Sequence, residues 1–299
     1  MITLVEDLQA PKNSMGEFVN VSIRVLNYMR DMINKETHFS DYIICSSTIA
    51  GTKKTIRPFH QNLFIREPDI FLREYNELSK IFNYLKGGQR VFEKNQYDIV
   101  DKVIYTIQQS IGIGLDLLVE PNSSRKHVGN RFEELIRIIL QTIAIPMKKV
   151  ILNIPYDTDE GVKYYKCETD VVISPYKNVK SNAKDIDPDE IVISLKTTTK
   201  DRMPKIFIDK LLMERFLGHP VRILGISQND IQRKDDTKEP KISYTFVSNL
   251  FMVYTKFLTE LEGYYYLDVP KVAKQAPFNN YIFPFSKLIL NDIWGFLYS

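Results

Sequence analysis

Three short, strongly apolar runs in the second half of the chain constrain the fold most. They lie in KYYKCETDVVISP, DEIVISLKTTT and VRILGIS, and each is too short for a buried helix. Stretches of helical pattern alternate with them. NRFEELIRIILQTIAI precedes the first run, and PKIFIDKLLMERFLG, with Pro204 in its first turn and Gly218 at its end, separates the last two. This alternation predicts an α/β (α+β) fold with a central mixed β-sheet flanked by helices.

The first part of the chain has a different pattern. GEFVNVSIRVLNYMRDMI, EPDIFLREYNELSKIFNYLKGG and NQYDIVDKVIYTIQQSIGIGLDLLV each repeat apolar residues close to the helical period. The polar stretch EPNSSRKHVGNR then interrupts this pattern. We therefore predict a mainly helical part over residues 1–120 and a second part over residues 121–299, either as two layers of one domain or as two domains.

Composition narrows the class of protein. A chain of 299 residues with 44% hydrophobic residues can bury a substantial core. It contains no apolar run of membrane-spanning length and no secretory signal pattern at its start, so we expect a cytoplasmic protein that does not enter a membrane. Cys45 and Cys167 are too few for a disulfide framework or a cysteine-based zinc cluster. The slight basic excess does not by itself indicate a nucleic-acid partner.

The second apolar run contains a lysine, Lys196, whose position on the strand indicates a catalytic role. Side chains alternate along a strand, so Ser194 and Lys196 share one face while Leu195 points to the other. A hairpin with the preceding strand would bring Asp170 within a few ångströms of Lys196. An acid and a lysine on adjoining strands can hold a hard cation such as Mg²⁺ and direct water at a phosphate. The alternative is an exposed ion pair on a solvated sheet face.

The helix before these strands supplies another carboxylate. Its apolar stripe begins at Phe132, and Glu133 lies at the edge of the stripe while Glu134 points nearly opposite. Glu133 is therefore the better candidate to face the sheet. Asn130 followed three residues later by Glu133 also fits a capping box, which gives Glu133 an alternative role.

The order of Glu133, Asp170 and the run Ser194-Leu195-Lys196 resembles the PD-(D/E)xK nuclease superfamily, which includes many type II restriction endonucleases. The resemblance covers residues 125 to 227. Thr169 stands in place of the motif's proline, and Ser194 in place of its second acid. The layout is most similar to the branch that reads CCGG or CCNGG cores, which has a small residue there and takes an acid from the following helix. Asp209 occupies that position here.

The same branch carries an Arg-acid-Arg triplet that reads G·C pairs. Lys200, Asp201 and Arg202 occupy the matching positions, with lysine in place of the first arginine. Arginine can donate two hydrogen bonds to guanine O6 and N7, and aspartate can accept one from cytosine N4. A charged turn in which Thr199 or Asp201 caps the next helix is the alternative.

The resemblance implies a Mg²⁺-dependent, sequence-specific endonuclease that hydrolyses phosphodiester bonds of double-stranded DNA. The metal ligands would be Asp170, the carbonyl of Leu195, and Asp209 or Glu133. Lys196 would position the attacking water, and Ser194 would not bind metal directly. A homodimer, or a tetramer, would match a palindromic target. The alternatives are a repair or junction-resolving nuclease with the same core and a DNA-binding protein with a decayed nuclease core.

Overall fold

The computed structural model describes residues 2–49, 51–199, 202–234 and 240–298. Its helices are α1 (Leu4–Gln9), α2 (Met15–Met32), α3 (Pro68–Lys86), α4 (Lys94–Leu118), α5 (Pro121–Thr142), α6 (Met203–Leu217), α7 (Ser248–Phe257), α8 (Phe285–Lys287) and α9 (Ile293–Tyr298). Its strands are β1 (Lys35–Phe39), β2 (Tyr42–Ile49), β3 (Thr52–Thr55), β4 (Phe59–His60), β5 (Met147–Lys148), β6 (Ile151–Thr158), β7 (Gly161–Glu168), β8 (Val171–Ile173), β9 (Ile191–Thr198), β10 (Arg222–Asn229), β11 (Ile231–Lys234), β12 (Lys241–Tyr244), β13 (Gly263–Tyr266) and β14 (Ile282–Pro284).

The three apolar runs of the sequence form neighbouring strands of one sheet. Within the described ranges this sheet has six strands in the order β14-β13-β10-β9-β8-β5. Strands β9, β10, β13 and β14 are mutually parallel, whereas β8 is antiparallel to β9 and to β5. The prediction of a central mixed sheet flanked by helices is therefore confirmed.

The sheet separates two hydrophobic clusters. On one face, Ile193 and Leu195 of β9 pack with α2, α4 and α5. On the other face, Val192 packs with α6 and α7. Both faces of β9 are therefore buried along most of its length, which is why its sequence is almost continuously apolar. Ser194 and Lys196 follow Val192 on the same face and lie beyond the edge of that second cluster.

The amino-terminal helices pack against the same cluster as the sheet. This cluster contains Val25 and Val103 as well as Leu135 and Ile193. Gly114 allows α4 to approach α1 and α2, because a Cβ at this position would lie 2.8 Å from a methyl group of Val25. The division near residue 120 remains a prediction, and buried contacts join the chain on either side of it.

Two features of the first half differ from the sequence interpretation. The strands β1 to β4 form a four-stranded sheet in the described part of a region for which no strand was predicted. The polar stretch after Glu120 is not a break, because α5 begins at Pro121 and runs through it. Asn130 consequently lies inside a helix, so the capping-box role for Asn130 and Glu133 is wrong. The sequence predicted a break here because the stretch is polar, but its residues Ser124 and Arg131 are buried in α5.

Cys45 and Cys167 are both buried and form no disulfide. Burial raises the pKa of the Cys167 thiol to about 11. Among the helices in the described ranges, none has the length and apolar character needed to cross a membrane.

Buried carboxyl groups lie where parallel strands end. Asp230 directly follows β10, and Asp268 lies just beyond β13. The hydroxyl of Tyr42 donates a hydrogen bond to Asp268 Oδ2 at 2.9 Å. Burial raises the pKa of Asp268 to about 7 and the pKa of Asp230 to about 6. Folding therefore shifts both groups towards the protonated form relative to an ordinary aspartate.

We predict that Asp268 makes the protein less stable as the pH rises from about 4 to about 7. In this window the folded chain binds a proton that the unfolded chain has released, so the free energy of unfolding falls by up to about 1.4 kcal/mol per pH unit for such a group. Asp268→Asn should remove the part of this slope that Asp268 contributes, because an amide does not titrate and its oxygen still accepts from Tyr42. Urea unfolding across this pH range measures the difference. The exposed Asp159→Asn serves as the control, and equal slopes in wild type and Asp268→Asn would contradict the assignment.

Candidate active site

The site is built on a break between β7 and β8. Sequence analysis treated these strands as one, but they belong to different sheets, since β7 pairs with β6 and β8 pairs with β9. Thr169 holds the break: its amide donates to the carbonyl of Val150 at 3.0 Å, and its hydroxyl accepts from the amide of Val150 at 3.1 Å. A proline at this position would lack the first of these bonds. The threonine therefore provides a backbone anchor that the motif's usual residue cannot.

Asp170 follows the anchor and faces the end of β9. The antiparallel register pairs Val171 with Ile193, so Asp170 lies beside Ser194. Its Oδ2 accepts hydrogen bonds from the amide of Leu195 at 2.7 Å and from Lys196 Nζ at 3.1 Å. The strand pairing thus brings Asp170 and Lys196 together, as the sequence pattern indicated.

The ammonium of Lys196 contacts three oxygens. Besides Asp170, it donates to Ser194 Oγ at 2.9 Å and to the carbonyl of Leu195 at 2.9 Å. The side chains of Lys196 and Asp170 are only 15% and 22% exposed. The pair is therefore not an exposed ion pair on a solvated face. Ser194 supplies a hydrogen bond that fixes the position of the ammonium.

Asp209 reaches the same pocket from α6. The pocket has a volume of about 280 Å³ and also contains Asp170, Ser194 and Lys196 in its wall. Lys205, one helical turn before Asp209, donates to both carboxylate oxygens at 2.6 Å. The other residues that line the pocket are Tyr165, Lys166, Glu168, Thr169, Val192, Ile193, Ile206, Met213 and Ile223.

Glu133 approaches Asp170 from the opposite face of the sheet. It is half-buried on α5, and burial followed by the negative charge of Asp170 raises the pKa of Glu133. Glu134 has another function: it pairs with Arg131 at 2.6 Å and accepts from the amide of Lys12 at 2.9 Å. Of these two adjacent acids, Glu133 is the one near the site, and Glu134 fastens the amino-terminal segment to α5.

The oxygens around Lys196 have the chemistry of a Mg²⁺ site. A carboxylate of Asp170 and a carbonyl of Leu195 are hard ligands, and Mg²⁺ commonly uses one or two carboxylates and keeps several waters. Across the residues that the structure describes, no group of three or more Asp, Glu, His or Cys side chains is close enough to hold a metal by itself. The arrangement therefore fits a cation that keeps water ligands better than a zinc-type site enclosed by side chains.

The charged triplet is described only in part. Lys200 and Asp201 lie outside the described residues. Arg202 is exposed at the N-cap position of α6 and forms no side-chain cap, and the hydroxyl of Thr199 lies 3.3 Å from that of Thr245. The Thr199 hydroxyl thus contacts Thr245, while the Thr199 carbonyl accepts from the amide of Met203, the first residue of α6, at 3.2 Å. Arg202 stands at the amino-terminal end of α6, as Lys205 does, whereas Asp209 lies near the middle of the helix.

Sequence analysis did not identify Lys205 and Lys166 as pocket residues. Lys205 was within reach of such reasoning, because residues four apart on a helix are neighbours and Asp209 was already a candidate. Lys166 lies on β7, which pairs with β6 in a separate hairpin. Its place on the pocket wall depends on how that hairpin meets α6, and no local pattern encodes this.

We predict that the two adjacent glutamates respond oppositely to the same substitution. Glu134→Gln should lower the free energy of unfolding by about 3–5 kcal/mol, because it leaves the buried guanidinium of Arg131 without its carboxylate. Glu133→Gln should have little effect or increase stability, since burial already disfavours its charged form. Urea unfolding at neutral pH distinguishes them. Equal destabilisation by both substitutions would refute this division of roles.

Comparison with known proteins supports the fold. No protein-family model matches the sequence, and no curated protein matches it. The crystal structure of the type IIP restriction endonuclease Kpn2I matches with a TM-score of 0.70 at 18% sequence identity, covering 95% of this chain and 91% of that chain. A complex of the restriction endonuclease PspGI with substrate DNA matches with a TM-score of 0.41 at 14% identity, covering 77% of this chain and 92% of that chain. The likeness to Kpn2I shows that this chain has a restriction-endonuclease fold.

Proposed function

We propose that this chain is a Mg²⁺-dependent, sequence-specific endonuclease that hydrolyses phosphodiester bonds of double-stranded DNA, as type II restriction enzymes do. The convergence of Asp170, the Leu195 carbonyl and Lys196 carries the proposal. It occurs beside Asp209, in a pocket of a restriction-endonuclease fold. Because one fold can support several activities, the proposal depends on this site.

The side chains have distinct roles in the proposed reaction. Asp170 and the carbonyl of Leu195 hold the metal, with Asp209 or Glu133 as a further carboxylate. When bound, Mg²⁺ activates water and offsets the charge that develops on the phosphate. Lys196 donates hydrogen bonds that orient the attacking water against the phosphorus. Ser194 positions the Lys196 ammonium and does not bind the metal.

We assign the recognition of DNA to the amino-terminal end of α6. Arg202 is exposed there, and Lys200 and Asp201 precede it in the sequence. A guanidinium reads guanine through two hydrogen bonds, and a carboxylate reads cytosine through one. The proposal includes a homodimer or tetramer, because two-fold symmetry places one active site on each strand of a palindromic target.

We predict discrete cleavage of long, sequence-diverse DNA by the purified protein in the presence of Mg²⁺. Chelation of the metal should abolish cleavage, and Lys196→Ala should reduce the rate by about 10²–10³-fold, because loss of one positioned hydrogen-bond donor at a reacting centre costs about this much. Gel analysis of the fragments measures both effects, and sequencing their ends gives the target. Exposed Lys163→Ala, at the far end of the β6–β7 hairpin, is the matched lysine control.

The products also distinguish the other candidates. Cleavage that follows DNA shape, without fixed fragment ends, would favour a repair or junction-resolving nuclease. Tight DNA binding without any cleavage would favour a protein with a decayed nuclease core. Direct conversion of supercoiled plasmid to linear DNA, without accumulation of nicked circles, is the expected signature of two active sites acting in one complex.

We predict that a carboxylate at position 194 can replace the one at position 209. Asp209→Asn should reduce Mg²⁺-dependent cleavage, because it removes a charged oxygen ligand from the pocket. Adding Ser194→Glu should restore part of the rate, since Ser194 lines the same pocket and lies next to Lys196. Cleavage rates over a Mg²⁺ titration measure the rescue. If the double variant is no better than Asp209→Asn alone, a carboxylate at position 194 does not replace the one at position 209; if Asp209→Asn cleaves as fast as wild type, Asp209 does not contribute to the metal site.

A further inference from the structure

Two lysine–aspartate pairs face the same pocket. Lys196 holds Asp170, and Lys205 holds Asp209 through hydrogen bonds of 2.6 Å to each carboxylate oxygen. The first pair is accounted for by the proposed chemistry. Lys205 has no role in that chemistry, yet it engages Asp209, one of the two carboxylates proposed to complete the metal site.

Helix energetics do not explain the presence of Lys205. It is the third residue of α6, where a positive charge opposes the helix dipole. It precedes its acidic partner by four residues, and this order is less favourable than the reverse. Its side chain is 57% exposed, and an ion pair so open to solvent adds little to stability. Since Lys205 adds little to the stability of α6, its role lies in the pocket.

The charges of the two pairs cancel. Asp170 and Asp209 contribute two negative charges, while Lys196 and Lys205 contribute two positive charges. A divalent cation that binds Asp209 competes with the Lys205 ammonium, because that ammonium engages both oxygens of the carboxylate. The released ammonium belongs to a flexible and largely exposed side chain at the pocket wall, and the pocket then carries a net positive charge. Both changes favour an approaching phosphate.

We propose that Lys205 is a positioning residue that serves as an exchangeable counter-ion. Without a cation it holds the Asp209 carboxylate in the pocket; with a cation bound it is released and contacts a phosphate of the DNA. Lys205 therefore competes with the cation for Asp209 and, once released, strengthens the binding of DNA. This inference rests on the proposed function, and its consequence is that the cation and DNA strengthen each other's binding.

The test compares Lys205→Gln with Lys166→Gln. Lys166 lines the same pocket and loses the same charge, but no carboxylate partner for it occurs among the described residues. Calorimetric titration of each DNA-free variant with Mn²⁺ measures cation affinity without catalysis. Lys205→Gln should bind Mn²⁺ roughly 3- to 10-fold more tightly than Lys166→Gln, since only the former loses a competing ligand of Asp209. Lys205→Arg should restore the wild-type affinity.

A second measurement uses DNA and Ca²⁺ in place of the catalytic metal. In wild type, Ca²⁺ should increase the affinity for a target duplex, and Lys205→Gln should reduce this gain by roughly 5-fold or more, within the usual range of coupling between two ligands. A structural role for Lys205 would change neither the cation affinity nor this coupling. Equal Mn²⁺ affinities in Lys205→Gln and Lys166→Gln would overturn the inference.

The outcomes separate this inference from the proposed function. If wild type cleaves DNA and the two glutamine variants bind Mn²⁺ equally, the nuclease stands and the counter-ion role fails. If wild type does not cleave DNA but Lys205→Gln binds Mn²⁺ more tightly, the exchange at Asp209 stands and the nuclease fails. If wild type binds no divalent cation at all, both fail.

Discussion

The site depends on the hydrogen bond between the Asp170 carboxylate and the amide of Leu195. This bond forms where β8 meets β9, and the Thr169 anchor to Val150 sets the direction from which Asp170 arrives. Because the donor is a backbone amide of the central sheet, the carboxylate is fixed relative to β9. The Lys196 ammonium and the Leu195 carbonyl are then within reach of one another without help from a loop.

The position of Lys196 follows from the two-sided burial of the sheet. Each face of β9 packs against helices, so a lysine on the strand would be costly to bury anywhere before its end. At the end of Val192's face the second hydrophobic cluster stops and the pocket begins. The charge is accommodated there because three oxygens surround it and a fraction of the side chain reaches solvent. The edge of the second hydrophobic cluster is therefore the position on β9 at which the charged side chain of Lys196 can be accommodated.

The sequence was most informative where a short period governs the structure. Strand alternation was sufficient to put Ser194 and Lys196 on one face, and strand pairing to bring Asp170 beside them. It failed where polar residues are buried by distant partners, as Arg131 is by the carbonyls of Gln9 and Ala10. It also failed for Lys166, whose position depends on the meeting of two separate elements. Contacts between segments that are distant in the sequence produce no local periodicity from which they could be predicted.

The adjacent glutamates of α5 give the amino-terminal segment a mechanical connection to the site. Glu134 accepts a hydrogen bond from the amide of Lys12, while the charge of Asp170 helps to raise the pKa of Glu133, the preceding residue. Both residues belong to α5, so the contact that holds the amino-terminal segment and the acid near the site are neighbours on one helix. The amino-terminal segment is therefore attached to the same turn of α5 that carries Glu133.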